Sequence, residues 1–139
     1  MTDTKDYEVE IGRVDLFAGM SKGHLKRLSS HSQVVEYDAG HRIAAEGLGG
    51  LAFHLVLEGT AVVSQAGQQV RTLKPGDYFG EISMIDGKPR SAAVEATEPL
   101  RTLTIPYIVF QDLLDSEPSF ARVLLGHLCA RLRELESRG

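Results

Sequence analysis

Between residues 33 and 105 the sequence is a series of short apolar runs separated by turn residues, and this alternation constrains the fold more than any other feature. The runs are Val34–Val35, Ile43–Ala44, Ala52–Leu57, Ala61–Val63, Val70–Leu73, Ala92–Ala96 and Leu100–Ile105. Short runs of this kind, with no long helical pattern between them, are typical of β-strands. Their regular spacing argues against a parallel, doubly wound sheet and predicts an antiparallel β-roll, or jelly roll.

The segments between the runs have the composition of tight turns. Glycine, proline and aspartate allow the backbone conformations that reverse a chain over a few residues. We interpret these segments as hairpin connections between antiparallel strands: Asp38–Gly40, Gly47–Gly50, Glu58–Gly59, Ala66–Gly67 and Pro75–Asp77.

Helices are predicted on both sides of the roll. Residues 1–31 form a helical cover, in which Ser21 is placed to cap a helix that runs through Leu25 and Leu28. The chain is therefore predicted to be a single, mainly β domain of residues 1–139 with flanking helices: the cover at 1–31, the roll at 32–105 and C-terminal helices at 106–139.

Two helices are predicted after the roll. Pro106 can occupy the first position of one, whose apolar side carries Val109, Leu113 and Leu114. The segment Asp115–Pro118 ends that helix, and the last helix runs from about Pro118 to Ser137.

The last helix carries two sets of apolar residues. One set has heptad spacing, with alternating steps of four and three: Ala121, Leu125, Leu128, Leu132 and Leu135. A flanking set widens the apolar arc beyond what one packing surface needs: Phe120, Val123 and Leu124. We therefore expect the helix to pack against the roll and also against either a second subunit or the base of a bound nucleotide. A single buried face is the alternative, because the heptad run is short.

A glycine and a carboxylate precede a short helical turn in the segment Phe79-Gly80-Glu81-Ile82-Ser83-Met84. The unpaired N–H groups of residues 82–84 at the start of such a turn favour an anion. Arg90 follows after a reversal, and its guanidinium can donate two hydrogen bonds to a phosphate. Glu81 accepts hydrogen bonds and repels phosphate, so we expect a hydroxyl beside it. A phosphate and a hydroxyl on one small ligand describe a nucleotide.

The run Phe-Gly-Glu-Ile-Ser-Met, followed by Pro-Arg-Ser-Ala, resembles the phosphate-binding cassette of cyclic nucleotide-binding domains. These domains occur in catabolite activator proteins, in regulatory subunits of protein kinase A and in cyclic nucleotide-gated channels, and the resemblance extends from about Val14 to about Leu135. It implies that Glu81 accepts the ribose 2′-hydroxyl and that Arg90 pairs with the cyclic phosphate. The rest of the implied ligand-binding set is Gly80, Ile82, Ser83, Ser91 and Ala92.

Contacts to the base are where the sequence departs from that family. Catabolite activators use a threonine–serine pair on the last helix, whereas this chain has Leu135-Glu136 at the corresponding place. Arg131 can stack on a purine through a cation–π contact, and Val63 and Val70 can line the pocket beneath it. Leu135 is a further candidate base contact. Ser91 resembles the residue of activators that bind cyclic AMP (cAMP), so cAMP is the expected ligand and cyclic GMP (cGMP) is the alternative.

The composition fits a binding module that does not contact DNA. A net charge of −4 over 139 residues argues against a general nucleic-acid binder, and no helix-turn-helix follows the last helix in this chain. No run of about eighteen apolar residues predicts a membrane segment. Cys129 is the lone cysteine, so no internal disulfide is expected, and we expect a cytoplasmic location.

No enzyme is indicated by the remaining residues. The five histidines have neither the His-x-His spacing of a metal cupin nor the pair of a zinc protease helix, and we expect no metal cofactor. His54, within an apolar run, is predicted to be a packed strand residue. Cys129 is predicted to be a core residue of the last helix rather than a nucleophile.

We therefore expect a sensor whose cyclic nucleotide ligand shifts the last helix and changes its contact with an effector protein, which the sequence does not identify. The alternative is an interaction protein that forms a constitutive homodimer through the last helix and keeps the nucleotide pocket as a vestige or for another ligand. The presence of both Glu81 and Arg90 favours the sensor.

Overall fold

The computed structural model describes residues 7–44, 52–81, 85 and 92–138. Within these residues, eight strands form two four-stranded antiparallel sheets. One sheet has the strand order β1 (Gln33–Tyr37), β8 (Leu100–Pro106), β3 (Ala52–Glu58) and β6 (Tyr78–Phe79). The other has the order β2 (Arg42–Ala44), β7 (Ala93–Ala96), β4 (Ala61–Gln65) and β5 (Gln68–Leu73).

The strands pair as one long hairpin that has been rolled up. β1 pairs with β8, β2 with β7, β3 with β6 and β4 with β5, so the pairs are nested in the sequence. Further pairs, β3 with β8 and β4 with β7, complete each sheet. The predicted antiparallel β-roll with flanking helices is confirmed.

The prediction that the turns are hairpin connections was wrong for three segments. Asp38–Gly40, Glu58–Gly59 and Pro75–Asp77 each carry the chain from one sheet to the other. Ala66–Gly67 does join paired strands, and its φ values of 52° and 80° are the left-handed ones that two-residue hairpins favour. Gly47–Gly50 lies outside the described residues. Turn composition indicates that the chain reverses, but not which strand the next one will pair with.

Helices precede and follow the sheets. The cover consists of α1 (Glu8–Gly12), a 3-10 helix (Asp15–Phe17) and α2 (Lys22–Ser30), and the Ser21 hydroxyl accepts a hydrogen bond from the His24 N–H at 3.1 Å, which confirms the predicted cap. The C-terminal helices are α3 (Tyr107–Ser116) and α4 (Pro118–Arg138). Pro106 lies one position earlier than predicted, because it ends β8 and forms the N-cap of α3. No helix in the described part of the chain is long and apolar enough to cross a membrane.

Four phenylalanine rings join the helices to the roll. Phe17 of the cover, Phe53 of β3, Phe110 of α3 and Phe120 of α4 are all fully buried. The ring centroids are 5.3 Å apart for Phe17 and Phe53, 5.8 Å for Phe17 and Phe110, and 6.4 Å for Phe110 and Phe120. We call these four residues the phenylalanine cluster. It holds together segments that are far apart in the sequence.

Polar contacts add to this packing at the junction of α3 and α4. His24 Nε2 of α2 lies 3.0 Å from the Glu117 carboxylate between the two helices, and Arg27 of α2 forms an ion pair with Asp112 of α3. The His24 ring also meets Phe120 edge to face, with centroids 5.6 Å apart. The cover is thus fixed to both C-terminal helices.

Helix α4 packs on the core mainly with the flanking set of apolar residues, together with Leu128 of the heptad set. Phe120 and Leu124 are buried, and Val123 and Leu128 are partly buried against the core. The heptad leucines at 125, 132 and 135 are each 60% exposed. In the described part of the chain α4 thus buries one face, and a second apolar surface lies outside the core. A second partner for that surface stays a prediction.

The same orientation of α4 explains an error about its cysteine. Cys129 is exposed, so the prediction that it is a core residue was wrong. The face of α4 that is turned toward the rest of the fold runs through Phe120, Leu124, His127 and Arg131, and Cys129 does not lie on it. This face is hard to recognise in the sequence because its second half, at His127 and Arg131, is polar.

We expect Phe120→Ala to lower the free energy of unfolding by about 3–5 kcal/mol, because the truncation leaves a cavity in the phenylalanine cluster. Urea unfolding followed by circular dichroism measures the change. Leu125→Ala on the same helix is the matched control and should cost less than about 0.5 kcal/mol, since Leu125 is exposed. Equal losses for the two variants would contradict the assignment of the buried face.

Candidate functional site

The chain enters the predicted site through β6. This strand was missed in the sequence because two residues show no alternation. Phe79 is buried and its ring stacks on His54, with centroids 4.5 Å apart and planes 8° from parallel, so His54 is a packed strand residue as predicted. Gly80 has a φ of 87°, which disfavours any side chain, and it turns the chain from the strand into helical Glu81.

The Glu81 carboxylate is paired with a residue of the last helix. Arg131 Nη1 lies 3.4 Å from Glu81 Oε2. The Glu81 side chain is only 15% exposed and that of Arg131 is 35% exposed. The pair joins the predicted ribose-binding carboxylate to α4 across fifty residues of sequence.

Tyr78 lies beside this pair and contacts both the cover and α4. Its hydroxyl donates a hydrogen bond to Asp15 Oδ1 at 2.5 Å, and its oxygen accepts one from Arg131 Nη2. The Arg131 guanidinium carbon lies 5.4 Å from the centroid of the Tyr78 ring, in the range of a cation–π contact. Burial raises the pKa of Tyr78 well above its usual value. The hydrogen bond to Asp15 also raises this pKa, whereas the positive charge of Arg131 lowers it.

Asp15, Tyr78, Arg131 and Glu81 therefore form a continuous polar chain, which we call the polar relay. It begins at the 3-10 helix of the cover, passes through β6 and α4, and ends at the helical residue that follows Gly80. Because the relay contains two carboxylates, one guanidinium and a neutral phenol, the cation is fully compensated. The relay can hold a carboxylate in one orientation at the predicted nucleotide site.

Several predicted ligand contacts lie outside the described residues, namely Ile82, Ser83, Arg90 and Ser91. Among the described ones, Gly80, Glu81 and Ala92 are half-buried. Their predicted roles stay predictions.

The predicted base contacts do not form one cluster in the described part of the chain. Val63 is buried in the core between the sheets, whereas Val70 is 55% exposed. The pairing of β4 with β5 shifts between Val63↔Arg71 and Ser64↔Gln69, which leaves Val70 as the extra residue of a β-bulge. Leu135 is exposed, and Arg131 lies on Tyr78 and Glu81.

Tyr78, Asp15 and Arg71 were missed by the sequence reasoning. Arg71 of β5 donates through Nη2 to the carbonyl oxygen of Tyr78 at 3.1 Å, which puts a second guanidinium beside β6. Tyr78 directly precedes the Phe-Gly-Glu run, so a polar aromatic residue next to the cassette was an available signal. No signal in the sequence connects Asp15 to Tyr78, because 63 residues separate them.

A second cavity, in the described part of the chain, is a poor candidate for a phosphate site. This cavity, of about 650 Å³, is lined by Tyr37, His41, Pro99, Leu100 and Arg101 together with three carboxylates, those of Glu36, Asp38 and Glu58. Such a lining repels a cyclic phosphate.

Among the described residues there is no group of three or more side chains suited to hold a metal ion. Asp77 accepts a hydrogen bond from the Lys74 N–H at 2.9 Å and so stabilises the turn that precedes β6.

Comparison with known proteins shows which family and which solved structures the chain is similar to. The family model described as "Cyclic nucleotide-binding domain" matches residues 34–117, which is more than half of the chain. The chain is 35% identical over 109 residues to a cAMP-dependent protein kinase regulatory subunit of Eremothecium gossypii, in an alignment that covers 78% of this chain and 24% of that protein. It thus spans about a quarter of the length of that curated relative.

Solved structures give the same result. The co-crystal structure of the regulatory domain of Toxoplasma gondii PKA with cAMP is similar with a TM-score of 0.69 and 25% identity, covering 81% of this chain and 48% of that one. The Thermus thermophilus catabolite activator protein is similar with a TM-score of 0.73 and 30% identity, covering 89% of this chain and 61% of that one. The chain belongs to the cyclic nucleotide-binding domain family.

Proposed function

We propose that this chain is a sensor that binds cAMP in preference to cGMP and whose ligand changes the position of α4. The observation that carries the proposal is the contact of Glu81 with Arg131. It connects the carboxylate expected at the ribose to the helix expected to move. A ligand that binds at Glu81 therefore acts directly on α4.

The relatives support the choice of ligand. The curated relative is described as a cAMP-dependent protein kinase regulatory subunit, and the Toxoplasma gondii domain was solved with cAMP. Because the chain spans only about a quarter of the curated relative, the effector protein it controls is left open in this proposal. The proposal is one of binding and regulation, not catalysis, and a lone exposed thiol fits the cytoplasmic location that forms part of it.

The proposed roles follow the cassette. Arg90 and the backbone around Ile82 and Ser83 bind the cyclic phosphate, and Glu81 accepts the ribose 2′-hydroxyl. Ser91 and Ala92 complete the contact. Ligand shifts α4 only to the extent that it binds one helix position more tightly than the other, so the helix movement and the affinity are linked quantities.

We expect Arg90→Ala to weaken cAMP binding by about 2–5 kcal/mol, because the bound phosphate then lacks its charged partner. Titration calorimetry with cAMP, cGMP and linear AMP measures the affinities. Arg122→Ala, which removes an exposed arginine of α4, is the control and should leave the affinity unchanged. Glu81→Ala should cost less, about 1.5–3 kcal/mol, since one charge-assisted hydrogen bond is removed. Equal affinity of Arg90→Ala and wild type would rule out the role of Arg90.

A constitutive homodimer is the second candidate, and the exposed heptad leucines favour it. Leu125, Leu132 and Leu135 lie on one surface of α4 and are each 60% exposed. In a parallel pair of identical helices the same leucines would lie opposite each other. This candidate and the sensor differ in whether the dimer depends on ligand.

We expect Leu132→Lys to abolish any dimer that forms through α4, because it would bury a charge in the seam. Sedimentation velocity with and without cAMP measures the oligomeric state, and Arg133→Gln, next to Leu132 on the same helix, is the control. A dimer that persists unchanged without ligand, together with no heat of cAMP binding, would favour the constitutive dimer over the sensor. A monomer at all concentrations would exclude it.

A further inference from the structure

Tyr78 has the contacts of a support for the site. Its ring stacks on Phe53 of the phenylalanine cluster, with centroids 5.4 Å apart and planes at 29°. Its hydroxyl donates its one hydrogen bond to Asp15 and accepts a hydrogen bond from Arg131. The ring is therefore fixed by packing, and the hydroxyl is fixed by a carboxylate of the cover.

Arg131 divides its guanidinium between Tyr78 and Glu81. Nη2 donates to the Tyr78 hydroxyl, and Nη1 faces Glu81 Oε2 at 3.4 Å. Because a guanidinium is planar and rigid, fixing one amino group fixes the position of the other. Tyr78 thus decides where Arg131 meets Glu81.

The contact with Arg131 is made at Oε2 of Glu81. A carboxylate has acceptor sites on both oxygens, so Glu81 can hold Arg131 at Oε2 and accept a hydroxyl at Oε1 at the same time. A carboxylate held in this way loses less side-chain freedom when a ligand binds.

We propose that Tyr78 is a positioning residue for recognition of the ribose 2′-hydroxyl: held by Asp15, it orients Arg131, and Arg131 orients Glu81 toward the sugar. This inference rests on the proposed function and adds two residues, Tyr78 and Asp15, to which the cassette assigns no part. It predicts that the tyrosine hydroxyl affects only ligands that carry a 2′-hydroxyl.

The hydroxyl can be tested separately from the ring. Tyr78→Phe keeps the stacking on Phe53 and the ring beneath Arg131, and removes only the two hydrogen bonds. Because the pKa of Tyr78 is raised, the hydroxyl of the wild type keeps its proton in neutral solution and donates throughout the measurement.

Titration calorimetry of the full chain with cAMP and with 2′-deoxy-cAMP measures the ratio of the affinity for cAMP to the affinity for 2′-deoxy-cAMP. We expect Tyr78→Phe to weaken cAMP binding about three- to tenfold and 2′-deoxy-cAMP binding less than about twofold. A merely structural role would weaken both ligands equally and would overturn the inference. Tyr107→Phe, at the start of α3, is the matched control and should change neither affinity.

Two further variants test the order of the relay. Asp15→Asn and Arg131→Gln should each lower the affinity for cAMP relative to that for 2′-deoxy-cAMP. Adding Tyr78→Phe to Arg131→Gln should lower this ratio no further, because the effects of residues that act in series are not additive. A loss of affinity for both ligands in Arg131→Gln would instead indicate that Arg131 contacts the base, and would overturn the inference. Asp15→Asn also provides the test if Tyr78→Phe folds poorly in a thermal melt.

Failure of this inference differs from failure of the proposed function. If the wild type binds cAMP and Tyr78→Phe leaves the ratio unchanged, the relay does not position Glu81, and the sensor function stands. If neither the wild type nor any variant binds cAMP, the sensor function is wrong and the inference is overturned with it.

Discussion

Burial of the phenylalanine cluster is the interaction on which the arrangement of the site depends. Its four rings come from the cover, β3, α3 and α4, and each is fully buried. Complete burial of such a side chain contributes about 1.5–3 kcal/mol, and aromatic pairs add to this. Phe120 therefore fixes α4 against α3 and the cover, and the polar groups that α4 brings to the site are placed by this apolar contact.

The contact face of α4 changes its chemistry along the helix. It begins with Phe120 and Leu124 in the core and continues with His127, whose Nε2 lies 2.7 Å from the Ala18 carbonyl oxygen, and with Arg131 at Glu81. The apolar half holds the helix, and the polar half contacts the site through hydrogen bonds that individually contribute little net free energy. In the proposed sensor, a ligand at Glu81 would act on the half of α4 that polar contacts hold, and the exposed leucines at 125, 132 and 135 leave a second surface open for a partner.

Much of the fold could be predicted because it is encoded locally. Apolar runs and turn residues predicted the strands, and Asp115–Pro118 predicted the break between α3 and α4. The strand partners were not predictable in the same way, since nested pairing brings together segments as distant as β1 and β8. The sequence also did not indicate which apolar set of α4 would face the core, because both sets have helical periodicity and the buried face becomes polar toward Arg131.

By itself the sequence determined the strand-rich architecture, the break between the two C-terminal helices and the choice of Gly80 and Glu81 as candidate site residues. These depend on backbone preferences and charge within a few consecutive residues. Only the tertiary structure decided that Glu81 meets Arg131, and that Tyr78 and Asp15 stand behind that contact. The physical reason is that a hydrogen bond between distant segments requires both to be positioned first by burial of the core. The local sequence pattern does not indicate which distant side chain will then lie close enough to form a hydrogen bond.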